Sequence, residues 1–197
     1  MSEVAAIILV AGRGTRFRSG PKLLTPLNGR PLLRHAVEAA VTSSAEPVIV
    51  VTDHRADEIE ASLKGLSFQS VRNPTFADGR STTLKAGFAA LPTHTKAAVV
   101  LLGDMPLIKA SLIDTLVNAW RARGEPAALV PTVNGQRGNP VVLSGVLKPL
   151  IEELSGDAGA GPILCGRADV MEWPLDDAAI LRDVDAGEVL ERPSRNI

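Results

Sequence analysis

The chain has 197 residues, 45% of them hydrophobic and 22% charged, with a formal net charge of −1. That length suits one domain around one sizeable core, and the charge balance supplies no global basic field for nucleic acid or anionic lipid, so an anionic ligand must be held by local groups. The single cysteine, Cys165, excludes an intrachain disulfide and a cysteine-based zinc site, and aromatic residues at 3% give few stacking platforms for single-stranded nucleic acid.

In chain order, 4–10 reads as a buried strand, 32–43 as a helix and 47–52 as a second buried strand. A helix over 55–64, a strand over 68–72 and a helix over 81–91 follow, then a strong buried strand over 97–102. Helix 111–123 carries Leu112, Leu116 and Trp120 at i, i+4 and i+8. Strands are expected over 127–133 and 140–143, a helix over 146–154, a short helix near 161–165, a strand near 170–174 and a closing turn or helix. None of the apolar runs is long enough to span a bilayer, and Met1–Val4 lacks the basic start of a signal peptide, so a cytoplasmic protein is expected. His35, His54 and His94 lack metal-ligand spacing and read as surface or helix-end residues, Cys165 reads as a core residue, and neither Ser19 nor Ser144 has a G-x-S-x-G setting.

Strands that are continuous apolar runs are buried on both faces, as in parallel sheets, and their alternation with helices predicts a three-layer α/β/α sandwich. The expectation is a single domain over 1–197 with a mostly parallel, Rossmann-like sheet. In such sheets ligands bind outside the carboxyl ends of the strands. Two unusual segments fall there: 11–22 after the first strand, and Gly103-Asp104-Met105-Pro106 after strand 97–102.

The first segment runs Leu9-Val10-Ala11-Gly12-Arg13-Gly14-Thr15-Arg16-Phe17-Arg18-Ser19-Gly20-Pro21-Lys22. Gly12 and Gly14 permit a tight turn whose N–H groups point inward at phosphate oxygens, and Arg13, Arg16, Arg18 and Lys22 add cations. The segment is neither a Walker loop, since Pro21 follows Gly20, nor G-x-G-x-x-G, since Phe17 takes the last position. A solvated basic loop is the plain alternative. In the second segment Asp104 supplies one hard carboxylate at a strand's end, where Mg²⁺ is commonly held by one or two carboxylates plus substrate phosphates. An N-cap or turn role is its plain alternative.

The pattern L-x-A-G-x-G-x-R…P-K-L-L resembles the signature of the MobA-like, or sugar-nucleotidyltransferase, family. The resemblance implies a nucleotide-diphospho-sugar transferase type of fold. It implies a triphosphate held by Leu9, Ala11, Gly12, Arg13, Gly14, Thr15 and Lys22, with Arg16 and Lys22 meeting charge during transfer. It also implies a Mg²⁺ on Asp104 of the G-D-x-P segment, beside Gly103, with Asp185 as second ligand. Three further segments narrow the branch. Asn73-Pro74-Thr75-Phe76-Ala77-Asp78-Gly79-Arg80-Ser81-Thr82-Thr83-Leu84 resembles N-P-x-W-x-x-G-x-S-S-S-L of the molybdenum cofactor cytidylyltransferases, and places Asn73, Ser81 and Thr82 at the nucleotide. Ser81 or Thr82 capping the following helix is the structural alternative there. Residues 136–141 resemble R-G-N/H-P-V, and 154–160 resemble L-x-G-D-x-G-A, which implies Arg137, Asn139 and Asp157 as acceptor contacts. Val10 in place of Ala, Gly161 in place of Arg, and D-A-G-E at 185–188 in place of D-T-P-E depart from that pattern.

The implied reaction transfers CMP from CTP to the terminal phosphate of molybdopterin. An apo-molybdoenzyme of the xanthine dehydrogenase family, or its maturation chaperone, is then an expected partner. No nucleic acid or membrane partner is expected. Ala11, where guanylyl enzymes carry glycine, would crowd a purine more than a pyrimidine. The same chemistry with GTP, or with a sugar phosphate or methylerythritol phosphate as acceptor, is the near alternative. The short chain and the 73–84 string count against those acceptors. A noncatalytic nucleotide-binding module and a dinucleotide-dependent oxidoreductase are the distant alternatives, the second disfavoured by the broken G-x-G-x-x-G.

Overall fold

The computed structural model describes residues 3–10 and 22–183. β1 (Val4–Leu9) leads to a 3-10 turn (Lys22–Leu24) and a small hairpin of β2 (Pro26–Leu27) and β3 (Arg30–Pro31), which enters α1 (Leu32–Val41). β4 (Val48–Thr52), α2 (Ala56–Ser62) and β5 (Gln69–Arg72) follow, then α3 (Arg80–Ala89), β6 (Ala97–Leu102) and α4 (Ala110–Ala122). The chain continues through β7 (Ala128–Val133), β8 (Gln136–Arg137), β9 (Val141–Ser144), α5 (Lys148–Glu153), α6 (Gly161–Leu164) and β10 (Val170–Pro174).

The main sheet has the order β10-β7-β9-β6-β1-β4-β5, with β8 added on β7. β1 is parallel to both β4 and β6, β4 to β5, and β7 to β10; β9 runs antiparallel to its neighbours β6 and β7, and β8 antiparallel to β7. The expected mostly parallel sheet is therefore present. β9 and the short β8 are reversed within it, and β9, standing between β6 and β7, leaves those two strands running the same way.

Side-chain alternation divides the strands between two cores, as it must in a sheet covered on both faces. Val4, Ala6, Ile8, Val50, Val99 and Leu101 face α1 and α4, burying Val37, Leu116 and Trp120 against them. Ile7, Ile49, Val51, Ala98, Val100 and Leu143 face α3, α5 and α6, burying Leu84, Phe88 and Ile151. The result is the three-layer sandwich, with the Leu112–Leu116–Trp120 stripe buried as its spacing requires.

Several boundaries moved. The helix expected over 146–154 splits into a 3-10 turn (Gly145–Leu147) and α5, because Pro149 near the start of α5 and the Ser144 cap fix the entry. β2, β3 and β8 were not expected, being two-residue strands too short to show a period. Cys165 is exposed rather than in the core: it follows the short α6 in an extended conformation that leaves the helix face. Among the described residues, no helix is long and apolar enough to cross a membrane.

Candidate active site

The register of β1 and β6 builds the site's floor. Leu9 lies opposite Leu102, and the Gly103 N–H donates to the Leu9 carbonyl at 3.1 Å. Asp104 therefore emerges beside the point where the chain leaves β1. The site is tight at Gly103: a Cβ there would lie 2.9 Å from Leu33 Cδ1 and 3.4 Å from the Leu9 carbonyl oxygen. The close approach lets α1 pack on the end of β6, and it fixes where Asp104 starts.

Lys22 comes from the other direction, opening the 3-10 turn whose Leu23 and Leu24 pack against the α1 side of the core. Its Nζ donates to Asp104 Oδ2 at 3.0 Å, with the two side chains 18% and 26% exposed. A cation and a carboxylate from positions 82 apart in sequence thus share the carboxyl edge of the sheet. The pair suits phosphate chemistry: the ammonium is a point charge for phosphate oxygens, and the carboxylate is a hard oxygen donor. Among the described residues, no group of three or more His, Cys, Asp or Glu side chains gathers as a metal cage. A carboxylate at this edge suits a divalent cation that takes further ligands from phosphates and water. Ala11, Gly12, Arg13, Gly14, Thr15, Arg16 and Asp185 lie outside the described residues.

A second group forms where β5 ends and α3 begins. The Asn73 N–H donates to the Thr52 carbonyl at 2.8 Å, tying this turn to the end of β4. Its side chain is 3% exposed; Nδ2 donates to Thr82 Oγ1 at 2.8 Å and Thr83 Oγ1 at 3.1 Å, while Oδ1 accepts from the N–H and hydroxyl of Thr75. Two amide hydrogens and two lone pairs are all committed, so Asn73 is a scaffold residue that shapes the turn. Thr82 Oγ1 also donates toward the Gly79 and Thr75 carbonyls, and belongs to the same knot. Neither Ser81 nor Thr82 caps α3; the N-cap position is Gly79. Ser81 is 1% exposed with its Oγ unpartnered, and its N–H donates to the Gly156 carbonyl at 3.1 Å.

That last bond brings together two segments that the sequence left apart. Gly79 has φ of 115°, and a Cβ on it would stand 2.2 Å from the Gly156 carbonyl carbon and 2.8 Å from the Asp157 nitrogen. The 154–160 turn is docked on the start of α3, which sets Asp157 beside the Ser81 group. His54, from the loop after β4, stacks on Phe76 with ring centroids 5.0 Å apart. No sequence signal links these two rings.

The third group is the β8–β9 junction. Arg137 pairs in register with Thr132 at the end of β7, and its Nε donates to Glu172 Oε1 at 2.8 Å on an exposed face. The Asn139 N–H donates to the Ile180 carbonyl at 2.9 Å, holding the junction to the 178–181 turn. All three groups stand at the carboxyl edge of the sheet, where the sequence places the segment after β1 and Asp104; the first group holds Leu9, Lys22, Gly103 and Asp104.

Residues 6–170 match the model of the MobA-like NTP transferase domain. The chain belongs to this family of nucleotidyltransferases. It is 38% identical over 130 residues to the bifunctional protein GlmU of Kineococcus radiotolerans, a match that covers 64% of this chain and 26% of that protein. The chain spans about a quarter to a third of the length of such bifunctional relatives. It is also 29% identical to the nicotine blue oxidoreductase of Paenarthrobacter nicotinovorans, over 96% of this chain and 95% of that protein. Among solved structures, an Rv0371c homologue from Mycobacterium sp. strain JC1 superposes with a TM-score of 0.80 at 28% identity, covering 96% of this chain and 93% of that one.

Proposed function

We propose that the protein transfers CMP from CTP to the terminal phosphate of molybdopterin, giving the cytosine dinucleotide form of the cofactor and pyrophosphate. The observation that carries the reading is Lys22 Nζ held 3.0 Å from Asp104 Oδ2 beside the exit of β1. An acceptor phosphate oxygen attacks the α-phosphorus of CTP, the bond to the β-phosphate oxygen breaks, and pyrophosphate leaves with the electron pair. The acceptor is already ionised, so no strong base is needed and the work is positioning and charge neutralisation. Lys22 swings its ammonium from the carboxylate to the triphosphate, joined by Arg16 and the N–H groups of 11–15. Asp104, with Asp185, would hold Mg²⁺, which when bound neutralises phosphate charge. The turn at the start of α3, with Asn73, Ser81 and Thr82 as its hydrogen-bonded framework and Asp157 docked beside it, would form the wall nearest the base and acceptor, and Arg137 and Asn139 would belong to the acceptor side. The cytoplasm is the setting, and an apo-molybdoenzyme of the xanthine dehydrogenase family or its chaperone is the recipient.

A panel of nucleoside triphosphates with purified molybdopterin, read by pyrophosphate release, tests this reading. CTP is expected to exceed GTP by roughly 10- to 200-fold in kcat/KM, with Ala11→Gly narrowing the ratio. Equal use of GTP sinks the cytidylyl assignment, and release with a sugar phosphate alone reassigns the acceptor. A second reading has one observation behind it, the end-to-end match with an oxidoreductase. Oxidation of a reduced nicotinamide dinucleotide without pyrophosphate release would favour that class.

A further inference from the structure

We propose that His35 is a positioning residue for Lys22: its imidazole latches the β2–β3 hairpin onto α1 and so holds the Lys22 ammonium at Asp104. The inference rests on the reading of Lys22 and Asp104 given above, and it assigns that site a part lying outside the motifs.

The hairpin is the strut that joins Lys22 to α1, and its own ladder is weak. It has two residues in each strand, with Pro26 opposite Pro31 and Leu27 opposite Arg30. The Leu32 N–H bond to the Thr25 carbonyl makes Pro26–Pro31 the non-hydrogen-bonded pair, so ladder bonds can form only at the two pairs that flank it. Two-stranded ribbons are marginal on their own even when longer. The strut therefore depends on ties to the rest of the molecule. Three are present. The Leu32 N–H donates to the Thr25 carbonyl at 3.0 Å, and the Thr25 N–H to the Lys22 carbonyl at 3.2 Å, a relay of backbone bonds from α1 to Lys22. Arg30 reaches Glu38 Oε2 at 2.7 Å, but Arg30 is 52% exposed, so solvent screens that pair. The third tie is His35 Nε2 to the Leu27 carbonyl at 2.9 Å, partly buried.

A carbonyl oxygen only accepts, so Nε2 carries the proton in this bond. His35 sits one turn into α1, a helix anchored on the core by its buried Leu33, Ala36 and Val37, so the backbone that carries the ring is held in place. Leu27 stands at the last position before the Asn28-Gly29 turn, both residues of which have positive φ (52° and 76°). The bond thus pins the far end of the hairpin, while the Thr25 relay holds its near end. Without it, the strut pivots about Thr25. A displacement of about 1 Å at a catalytic cation is enough to cost on the order of 100-fold in rate.

Amide exchange on the apo protein, followed by mass spectrometry over residues 22–32, is the direct test. His35→Phe keeps the ring volume and deletes the donor; it is expected to raise exchange at Thr25 and Leu32 by about tenfold or more while the rest of α1 is unchanged. His35→Gln, with an amide N–H of similar reach, is expected to restore slow exchange, and His35→Ala to match His35→Phe. In turnover with CTP, His35→Phe lowers kcat about tenfold with KM for the triphosphate within about twofold. In a Lys22→Ala background the His35→Phe effect disappears, because the two act as one unit. Unchanged exchange at Thr25 and Leu32 in His35→Phe overturns the latch, as does an equal kcat loss in the Lys22→Ala background. Absence of pyrophosphate release by the wild type with every triphosphate overturns the reading of the site instead, and the exchange result still decides the latch.

Discussion

Strand β6 carries a lysine–carboxylate pair at each end, and the two pairs are nearly identical in length. At its start, Lys96 Nζ lies 3.1 Å from Glu3 Oε1 and 3.5 Å from Glu125 Oε1. At its end, Asp104 Oδ2 lies 3.0 Å from Lys22 Nζ. Distance does not tell them apart. Environment does: the Lys96 and Glu3 side chains are 48% and 50% exposed, whereas Lys22 and Asp104 are 18% and 26% exposed. Solvent screens the first pair, so it holds little and attracts little. The second stands at the carboxyl edge of parallel strands, where β1 and β6 end side by side, and the proposed reaction would have each partner exchange the other for a ligand group. Position in the fold, rather than the ion pair itself, makes one of them a candidate site.

The largest expected effect breaks the comparison at its functional end. Asp104→Ala is expected to lower kcat by about 10³-fold or more at saturating Mg²⁺, through loss of transition-state charge stabilisation, with the melting transition intact. Turnover above about a tenth of wild type would put the metal elsewhere. Lys22→Ala comes next, with kcat down by about 100-fold and a smaller change in KM for CTP, as for a cation that acts mainly on the transition state. A raised KM at constant kcat would make Lys22 a ground-state tether.

How much of this was legible without coordinates differs from element to element. Strands 4–10 and 97–102 declared themselves as apolar runs because both faces are buried, and from them the sheet and its ligand edge followed. Asp104 was legible through its position after such a run. Its contact with Lys22 was not, since nothing local records a partner 82 residues away. The hairpin was missed although Asn28-Gly29 is a strong turn signal, because two-residue strands with prolines have no alternation to read. Motif resemblance points to Asn73 as a nucleotide contact. Its commitment to Thr75, Thr82 and Thr83 depends on how the turn closes, which residue types alone do not fix. His35 reads from sequence as a surface or helix-end residue because its partner is a backbone carbonyl, and sequence is silent on which carbonyl faces a ring.

Gly103→Ala gives an intermediate effect that sharpens the difference between the two ends. The added methyl meets Leu33 Cδ1, the end of a flexible but fully buried side chain, so α1 must shift slightly from β6. A cost of about 1–3 kcal/mol in stability is expected from overpacking. A drop of about tenfold in kcat should accompany it, because Asp104 is displaced with the strand end. Thermal melts and kinetics on one preparation separate the two. A stability loss with kcat unchanged would show that Asp104 is placed independently of Gly103.

The smallest effect belongs to the other end of β6. Lys96→Met should leave turnover unaltered, since Lys96 precedes the strand at the edge opposite the ligand edge. Its influence on stability carries a definite pH signature. The Glu3 side-chain hydrogen bond, the Glu125 charge and the Glu3 charge hold the Lys96 pKa above the ordinary lysine value. A raised folded-state pKa means that the folded protein binds the proton more tightly than the unfolded chain does. The contribution is therefore fully present below the unfolded lysine pKa and is lost as pH rises through the folded one. Melting temperatures of wild type and Lys96→Met should differ most near neutral pH and converge in the alkaline range, and the gap should shrink as salt is added. A difference that persists unchanged in strongly alkaline buffer or in high salt would mean that the Lys96 stem, packed along the surface, stabilises this end rather than its charge. The two ends of β6 would then differ in the kind of interaction they hold, and not only in its exposure.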